Sequence, residues 1–358
     1  MPTNLRGAFD LPKPHRIVRR GQRIGTIKPG EFVAIDGDHE TGDQITVPSG
    51  AMLFGLNSSV IRFTCTRSSG TPTMIRVENG GRVSGLQLDA KHGATLKVYG
   101  IDPRGSGNKV DHVYWTNRMA RFITGATKHG KLTITNCGDD AVLGGARGKA
   151  SDVYGIYLTT GSGPWIIKNV NIVVHSNFAM RAMMAQGHCS IKDSYFGAIR
   201  PFGRLFAVRG TQPRDSSVTI EDTVFQGSDR PYVAGGVGAQ VEFGGDTTTD
   251  GIEQTCRWLV ARDCTFDRIR MISVVGCPLT GPSELGGGNF LFERWTLTNH
   301  QSSQAISFAK SPKTLVKPKG AIRTLHATGT ATKKVTSLGS LNSGIKCSDV
   351  WLNGKKVA

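Results

Sequence analysis

Apolar and polar residues alternate with a period of two in short bursts along most of this chain. The clearest bursts are CSIKDSYF at 189–196, VTIEDTVF at 218–225 and LVARDCTF at 259–266, with looser versions in WIIKNVNIV at 165–173 and NFLFERWTL at 289–297. A two-residue period places successive side chains on opposite faces of an extended backbone, so each burst predicts a β-strand. Gly, Asn, Asp and Ser gather between the bursts and mark turns. No long stretch keeps the i, i+3, i+4, i+7 spacing of an amphipathic helix.

The bursts share a register. Aligned on the polar residue after the first apolar pair, they fall on Gly85, His112, Asn136, Asn169, Asp193, Asp222, Asp263 and Arg294, at intervals of 24 to 41 residues. Three positions later stand Leu88, Trp115, Asp139, Ile172, Phe196, Phe225, Phe266 and Leu297; all but Asp139 are apolar. A short phrase recurring at this period without repeating its exact sequence predicts a solenoid, in which each coil buries its apolar face against the next. Coils stacked in parallel lie ~4.8 Å apart, so like residues form columns. Phe196, Phe225 and Phe266 are predicted to form one. The Gly/Thr/Asp-rich segment 243–254 is predicted to be a surface loop of the longest coil.

This coil grammar, from about residue 45 to 309, and the opening phrase ITVPSGAMLFGLNSSVIRF at 45–63 resemble the right-handed parallel β-helix of the pectate-lyase-like superfamily. That superfamily includes polysaccharide lyases, polygalacturonases and phage tailspikes. The fold class expected is all-β: a single-stranded right-handed parallel β-helix with a short N-terminal cap and a basic C-terminal segment. The expected organisation is an extended arm at 1–16, cap strands at 17–44, the β-helix at 45–309, and a basic cap or interaction segment at 310–358. The resemblance implies architecture rather than one activity, because the superfamily holds both catalytic and adhesive members.

Charge refines the picture by its location. The formal charge is +17, of which residues 1–30 contribute +6 and residues 310–358 contribute +9, leaving +2 for everything between. Basic ends on a nearly neutral body suggest arms that dock on an acidic partner or solvated tails that aid solubility. A nucleic-acid binder would spread its charge and carry a recognisable motif, and none is present. No apolar run is long enough to span a bilayer, and the first residues lack the apolar core of a secretory signal, so neither membrane insertion nor Sec export is expected. Seven cysteines in no ligand-like spacing indicate buried free thiols rather than a disulfide frame or a zinc site, in keeping with assembly in a reducing cytoplasm.

Candidate chemistry is sparse. Asp139 and Asp140, in ITNCGDDAVLGG, are adjacent acids that could act as general acid and base. The phrase is similar to the Asp-Asp motif of polygalacturonase-like hydrolases. That family's Gly-His-Gly phrase is matched only in part by QGHC, with His188, and its Arg-x-Lys phrase has no counterpart nearby. Register places Asp89 and Asp140 on one face two coils apart, ~10 Å, close to the ~6.5–9.5 Å used by inverting glycosidases. The bland alternative is that Asp and Asn at bends bond backbone amides and hold the turn. A second cluster, Arg200, Phe202, Arg204, Arg209 and Arg214, could bind carboxylate or sulfate and stack on sugars, or form a solvated or inter-subunit loop. Neither a metal site nor a cofactor is expected.

Two readings follow. The first is a non-catalytic structural or receptor-binding component of a virion-type assembly (tailspike-, fibre- or decoration-like), assembled in the host cytoplasm. It would be homo-oligomeric, joined to other subunits through its basic termini, and would face a cell-surface polysaccharide. The second is a polysaccharide depolymerase, hydrolase or lyase, acting along the β-helix groove.

Overall fold

The computed structural model describes residues 11–64, 70–90, 98–115, 119–125, 130–139, 154–158, 163–174, 178–198, 204–210, 216–227, 240–243, 258–275, 290–302, 304–309, 319–329, 332, 334–336 and 344–358. Among these residues, short strands form two sheets of 21 and 11 strands. Every pairing is parallel except a terminal hairpin in which Lys355–Lys356 folds back on Trp351 and Leu352.

One coil lays down two strands of the larger sheet and one of the smaller, then returns one strand spacing further along. Leu132–Thr135, Gly138–Asp139 and Tyr154–Leu158 make such a coil, followed by Trp165–Lys168, Asn171–Val174 and Met180–Ala185. Their registers match position for position: Ile134 lies opposite Ile167, Gly138 opposite Asn171, and Ile156 opposite Met180. The chain is a parallel β-helix.

The polar residue that aligns the sequence bursts turns out to be the corner between the two strands of the larger sheet. His112, Asn136, Asn169, Asp193, Asp222, Asp263 and Arg294 all have φ between 48° and 54°, and Gly85 has 63°. This is the left-handed region, where Asn and Asp are tolerated because their short polar groups bond locally. A single left-handed residue between two extended segments bends the strand without breaking its ladder. The amide of Asn136 donates to Lys168 O (3.0 Å), that of Asn169 to Lys192 O (3.0 Å), and that of Asp263 to Glu293 O (3.0 Å). Side chains tie neighbouring corners together. Asn169 Nδ2 donates to Asn136 Oδ1 at 2.7 Å, and Arg294 grips both Asp263 oxygens at 2.7 and 2.8 Å. The hydrogen bonds from Arg294 hold the Asp263 carboxyl below its ordinary range.

Close coil contact needs glycine beside the corner residue Gly85. A Cβ on Gly55 would lie 2.2 Å from Gly85 O in the next coil, so no side chain fits there.

The core lies between the sheets. Phe196, Phe225 and Phe266 are opposite one another on successive coils, fully buried, with ring centroids 5.9 and 5.0 Å apart in stacked geometry. Leu297 continues the column, and Phe206 and Phe243 of the smaller sheet meet Phe225 edge-on. Each buried phenylalanine contributes roughly 1.5–3 kcal/mol, and each aromatic pair adds roughly 0.5–1.5 kcal/mol.

Parallel pairing runs through both segments that flank residues 45–309. Arg16–Arg19 pairs with Phe32–Asp36, which pairs with Met52–Leu56. At the other end Phe290–Thr298 pairs with Gly320–Ala327 and that strand with Ile345–Leu352, with Thr324 and Asp349 at corner positions (φ 53° each). Residues 11–15, just before the first strand, lie against the outside of the stack. Leu11 packs on Ala34, Met52 and Phe54, and His15 stacks on Phe32 at 4.9 Å.

Two of the cysteines are explained by the corners. Cys137 and Cys264 each follow a corner residue, and their thiols donate to the carbonyl just before it, at Thr135 O (3.1 Å) and Arg262 O (3.2 Å). Ser194 and Thr223 use hydroxyls in the same place. Burial pushes the Cys137 and Cys189 thiols up to about 12 and raises Cys264 as well, while Cys347 is exposed.

Two outcomes are expected. Asn169→Val should cost about 1–3 kcal/mol through left-handed strain, whereas Asn169→Gly, losing one exposed hydrogen bond, should cost under about 1 kcal/mol; urea unfolding checks the order. In native protein at pH 8 a thiol reagent should modify Cys347 and spare Cys137, Cys189 and Cys264 until denaturant is added, as read by peptide mapping.

Candidate functional site

The residues singled out from the sequence do not converge among the described positions. Asp89 lies opposite Arg62 of the preceding coil, with Arg62 Nε 3.6 Å from its Oδ2; the same guanidinium bonds Asp38 at 2.7 Å. Asp139 sits in a strand after a corner, at the register position opposite Trp115. His188 is two coils further on, in a strand before a corner, where its Nδ1 lies 2.5 Å from Ser217 Oγ and its ring 5.7 Å from that of Trp258. Asp140, Arg200, Phe202 and Arg214 lie outside the described residues. Arg204 and Arg209 are described as backbone positions of the strand Arg204–Gly210, with Arg204 opposite Gln240.

A different cluster stands on the outer side of the smaller sheet. It is built from the strands Tyr99–Pro103, Arg121–Gly125, Tyr154–Leu158 and Met180–Ala185. Arg121 lies opposite both Tyr99 and Tyr154, and Tyr157 lies opposite Arg181. Beside two of the tyrosines is a glycine whose Cβ would strike a neighbouring strand: Gly100 at 2.5 Å from Phe122 O, and Gly155 at 2.4 Å from Ala179 O. Their absent side chains let the strands close up and bring the rings together.

The Arg121 guanidinium carbon lies 4.6 Å from the Tyr99 ring centre, 5.3 Å from Tyr154 and 3.9 Å from Tyr157. Arg181 lies 5.7 Å from Tyr157 and 5.1 Å from Phe178. Tyr154 meets Tyr157 at 4.6 Å and stacks on Phe178 at 5.8 Å. A cation over an aromatic face gains ~0.5–2 kcal/mol, so these rings hold the guanidinium groups without an acid. Among the described residues neither arginine has a carboxylate partner, and the buried Nε of Arg181 has no hydrogen-bond partner. Below them Asp102 accepts from Arg104 Nε at 2.8 Å through Oδ2, and its buried Oδ1 lacks a partner.

Flat rings beside fixed N–H donors suit a ligand with an apolar ring face and hydroxyl acceptors at its edges. Paired-acid hydrolysis is not built into this face among its described residues. Asp102 and Glu242 occupy one column but stand five coils apart, ~24 Å at the strand spacing, well beyond the ~5–9.5 Å of glycosidase acid pairs.

Sequence reasoning aligned on the corners overlooked this cluster, because it lies in the other sheet. A signal was present nonetheless: the triplet Tyr-Gly-Ile occurs at 99–101 and again at 154–156, the same tyrosine and close-packing glycine two coils apart.

No family model matches the sequence, and no curated protein matches it. Solved structures match by shape. The tailspike of E. coli bacteriophage HK620, determined with a hexasaccharide, aligns over 92% of this chain and 67% of its own with 8% identity and a TM-score of 0.50. The catalytic domain of a GH87 α-1,3-glucanase with tetrasaccharides aligns over 88% of this chain and 63% of its own (10% identity, TM-score 0.46). An endo-xylogalacturonan hydrolase from Aspergillus tubingensis aligns over 91% and 87% (13% identity, TM-score 0.39). The chain thus spans about two thirds of the length of the first two. The likeness is one of fold alone, a right-handed parallel β-helix.

Gly155→Ala tests the close packing that assembles the cluster. The added methyl meets a backbone oxygen, so a loss of about 1–3 kcal/mol is expected, with a blue-shifted or altered near-ultraviolet tyrosine signal; a variant as stable as the parent would mean that the strands do not approach so closely.

Proposed function

We propose that this chain is a non-catalytic, glycan-contacting β-helix component of a virion-type assembly, with the arginine–tyrosine face of the smaller sheet as its saccharide-binding surface. The observation that carries the reading is the placement of Arg121 among Tyr99, Tyr154 and Tyr157, with Arg181 alongside. Aromatic faces and guanidinium donors are held in place and, among the described residues, no acid pairs with them, so the surface is preorganised for a hydroxyl-rich ligand. The spacing of Asp102 and Glu242 along the same face favours binding over cleavage there. The HK620 tailspike was solved with a bound hexasaccharide on the same type of fold, which supports the saccharide class. In this reading the chain assembles as a homo-oligomer, and its basic ends meet other subunits. A continuous solenoid suits that role because it offers a long, stiff surface to an extended polymer.

The test is binding of bacterial surface polysaccharides to the purified protein, followed by fluorescence or calorimetry, together with chromatography of the glycan after long incubation. Saturable binding is expected, with chain length unchanged. Arg121→Ala and Tyr157→Ala should each weaken it at least tenfold, corresponding to about 1.4 kcal/mol or more, while circular dichroism stays that of the parent. Release of shortened oligosaccharides by the parent protein would replace this reading with the depolymerase.

A further inference from the structure

A second surface on the opposite sheet has a composition that the saccharide face does not explain. On the outside of the larger sheet, beside Leu11, a groove of about 410 Å³ opens over Met52, Ser84 and Thr133. Arg82 and Lys109 line it, directly opposite each other on adjacent coils. Two like charges facing across a ladder oppose strand pairing, so this arrangement calls for a counter-charge.

The nearby acid, Asp111, adds negative charge to the groove but forms an ion pair with neither cation. Asp111 spends its oxygens on three donors: Oδ1 accepts from Thr135 Oγ1 at 2.6 Å and from Asn136 Nδ2 at 2.9 Å, and Oδ2 lies 2.8 Å from His112 Nδ1. An ionised carboxylate only accepts, so His112 carries its proton on Nδ1 and turns Nε2 away from that contact. Among the described residues neither Arg82 nor Lys109 has an ion-pair partner, and both are exposed. The groove therefore combines concavity, two cations without an ion-pair partner among the described residues, one acid already hydrogen-bonded on both oxygens, and the hydroxyls of Ser84 and Thr133.

We propose that this groove is a binding site for a phosphate group, either free or as a phosphate monoester on a sugar-sized molecule. Geometry selects the class. A phosphate group carries its oxygens in a tetrahedral array and can meet cations on two adjacent coils, whereas a carboxylate presents two oxygens in one plane. Arg82 offers a planar fork and Lys109 a point charge, both competent for phosphate oxygens. The hydroxyl of Thr133 continues their column one coil further on. The volume exceeds what a bare anion fills and accommodates one attached ring.

Titration of the full chain with inorganic phosphate, glucose 6-phosphate and glucuronate, followed by calorimetry at low salt, tests the site. Both phosphate probes should bind, and glucuronate should bind at least tenfold more weakly. Tighter binding of glucose 6-phosphate than of inorganic phosphate would assign the site to esters, and the reverse order to the free anion; both outcomes support a phosphate site. The double variant Arg82→Gln, Lys109→Gln should lose phosphate binding at least tenfold with an unchanged circular dichroism spectrum. Arg121→Ala, on the saccharide face, should bind phosphate like the parent, which separates this site from the proposed glycan surface. Equal affinity for glucuronate, or phosphate binding that survives the double variant, would overturn the assignment, as would a parent protein that binds no phosphate.

Discussion

The left-handed corner of each coil sets the register on which the rest of this molecule depends. A parallel stack can only align its apolar columns if every coil bends at the same height, and a one-residue slip would send each inward side chain to the outer face. From Gly85 to Asp349, one residue at this position in each coil, with φ between 48° and 63°, supplies the bend, and at Asn136, Asn169, Asp193, Asp222 and Asp263 its amide remains in the intercoil ladder. Strain at these positions is tolerated because neighbours on both sides over-determine it. That is how Arg294 and Thr324, which are poor left-handed residues, come to adopt the same conformation as Asn169 and Asp222.

The corners also organise the charge. The residues just before them form a column in which Lys192 lies 3.6 Å from Glu221, and Arg262 sits between Glu221 at 3.7 Å and Glu293 at 3.1 Å. Each such exposed pair contributes only ~0–1 kcal/mol, so the ladder is a minor source of stability beside the phenylalanine column. Its larger effect is on register, since a slipped coil would set like charges opposite one another. Arg82 and Lys109 stand two positions earlier on their strands, in another column, and the pre-corner acid on the Lys109 strand, Asp111, is bonded to hydroxyl, amide and imidazole.

The two proposed surfaces use one scaffold in different ways. On the smaller sheet, glycines beside tyrosines draw strands together and aromatic faces hold arginine cations. On the larger sheet, cations stand side by side over a concave, hydroxylated floor. In both, the functional side chains come from neighbouring coils, so the intercoil spacing rather than any loop fixes their separation. Sites on regular strands are rigid, and rigidity reduces the ordering cost of binding an extended or compact polar ligand.

Alternation with period two, and the alignment of eight polar positions, were enough to predict strands, coils and the Phe196–Phe225–Phe266 column, because strand formation and the corner conformation depend on nearest neighbours in the chain. Even the Asn/Asp bias of the corners was visible, with its cause in the left-handed backbone. The surfaces were not legible in the same way. Tyr99, Arg121 and Tyr157 are separated by 22 and 36 residues, and Arg82 and Lys109 by 27, intervals set by loops of variable length. Which side chains become neighbours across coils is decided by the backbone hydrogen bonds of the stack, and which acids form ion pairs is decided by side-chain contacts there, so only the tertiary structure could pair the cations with the rings and leave two others, among the described residues, without an ion-pair partner.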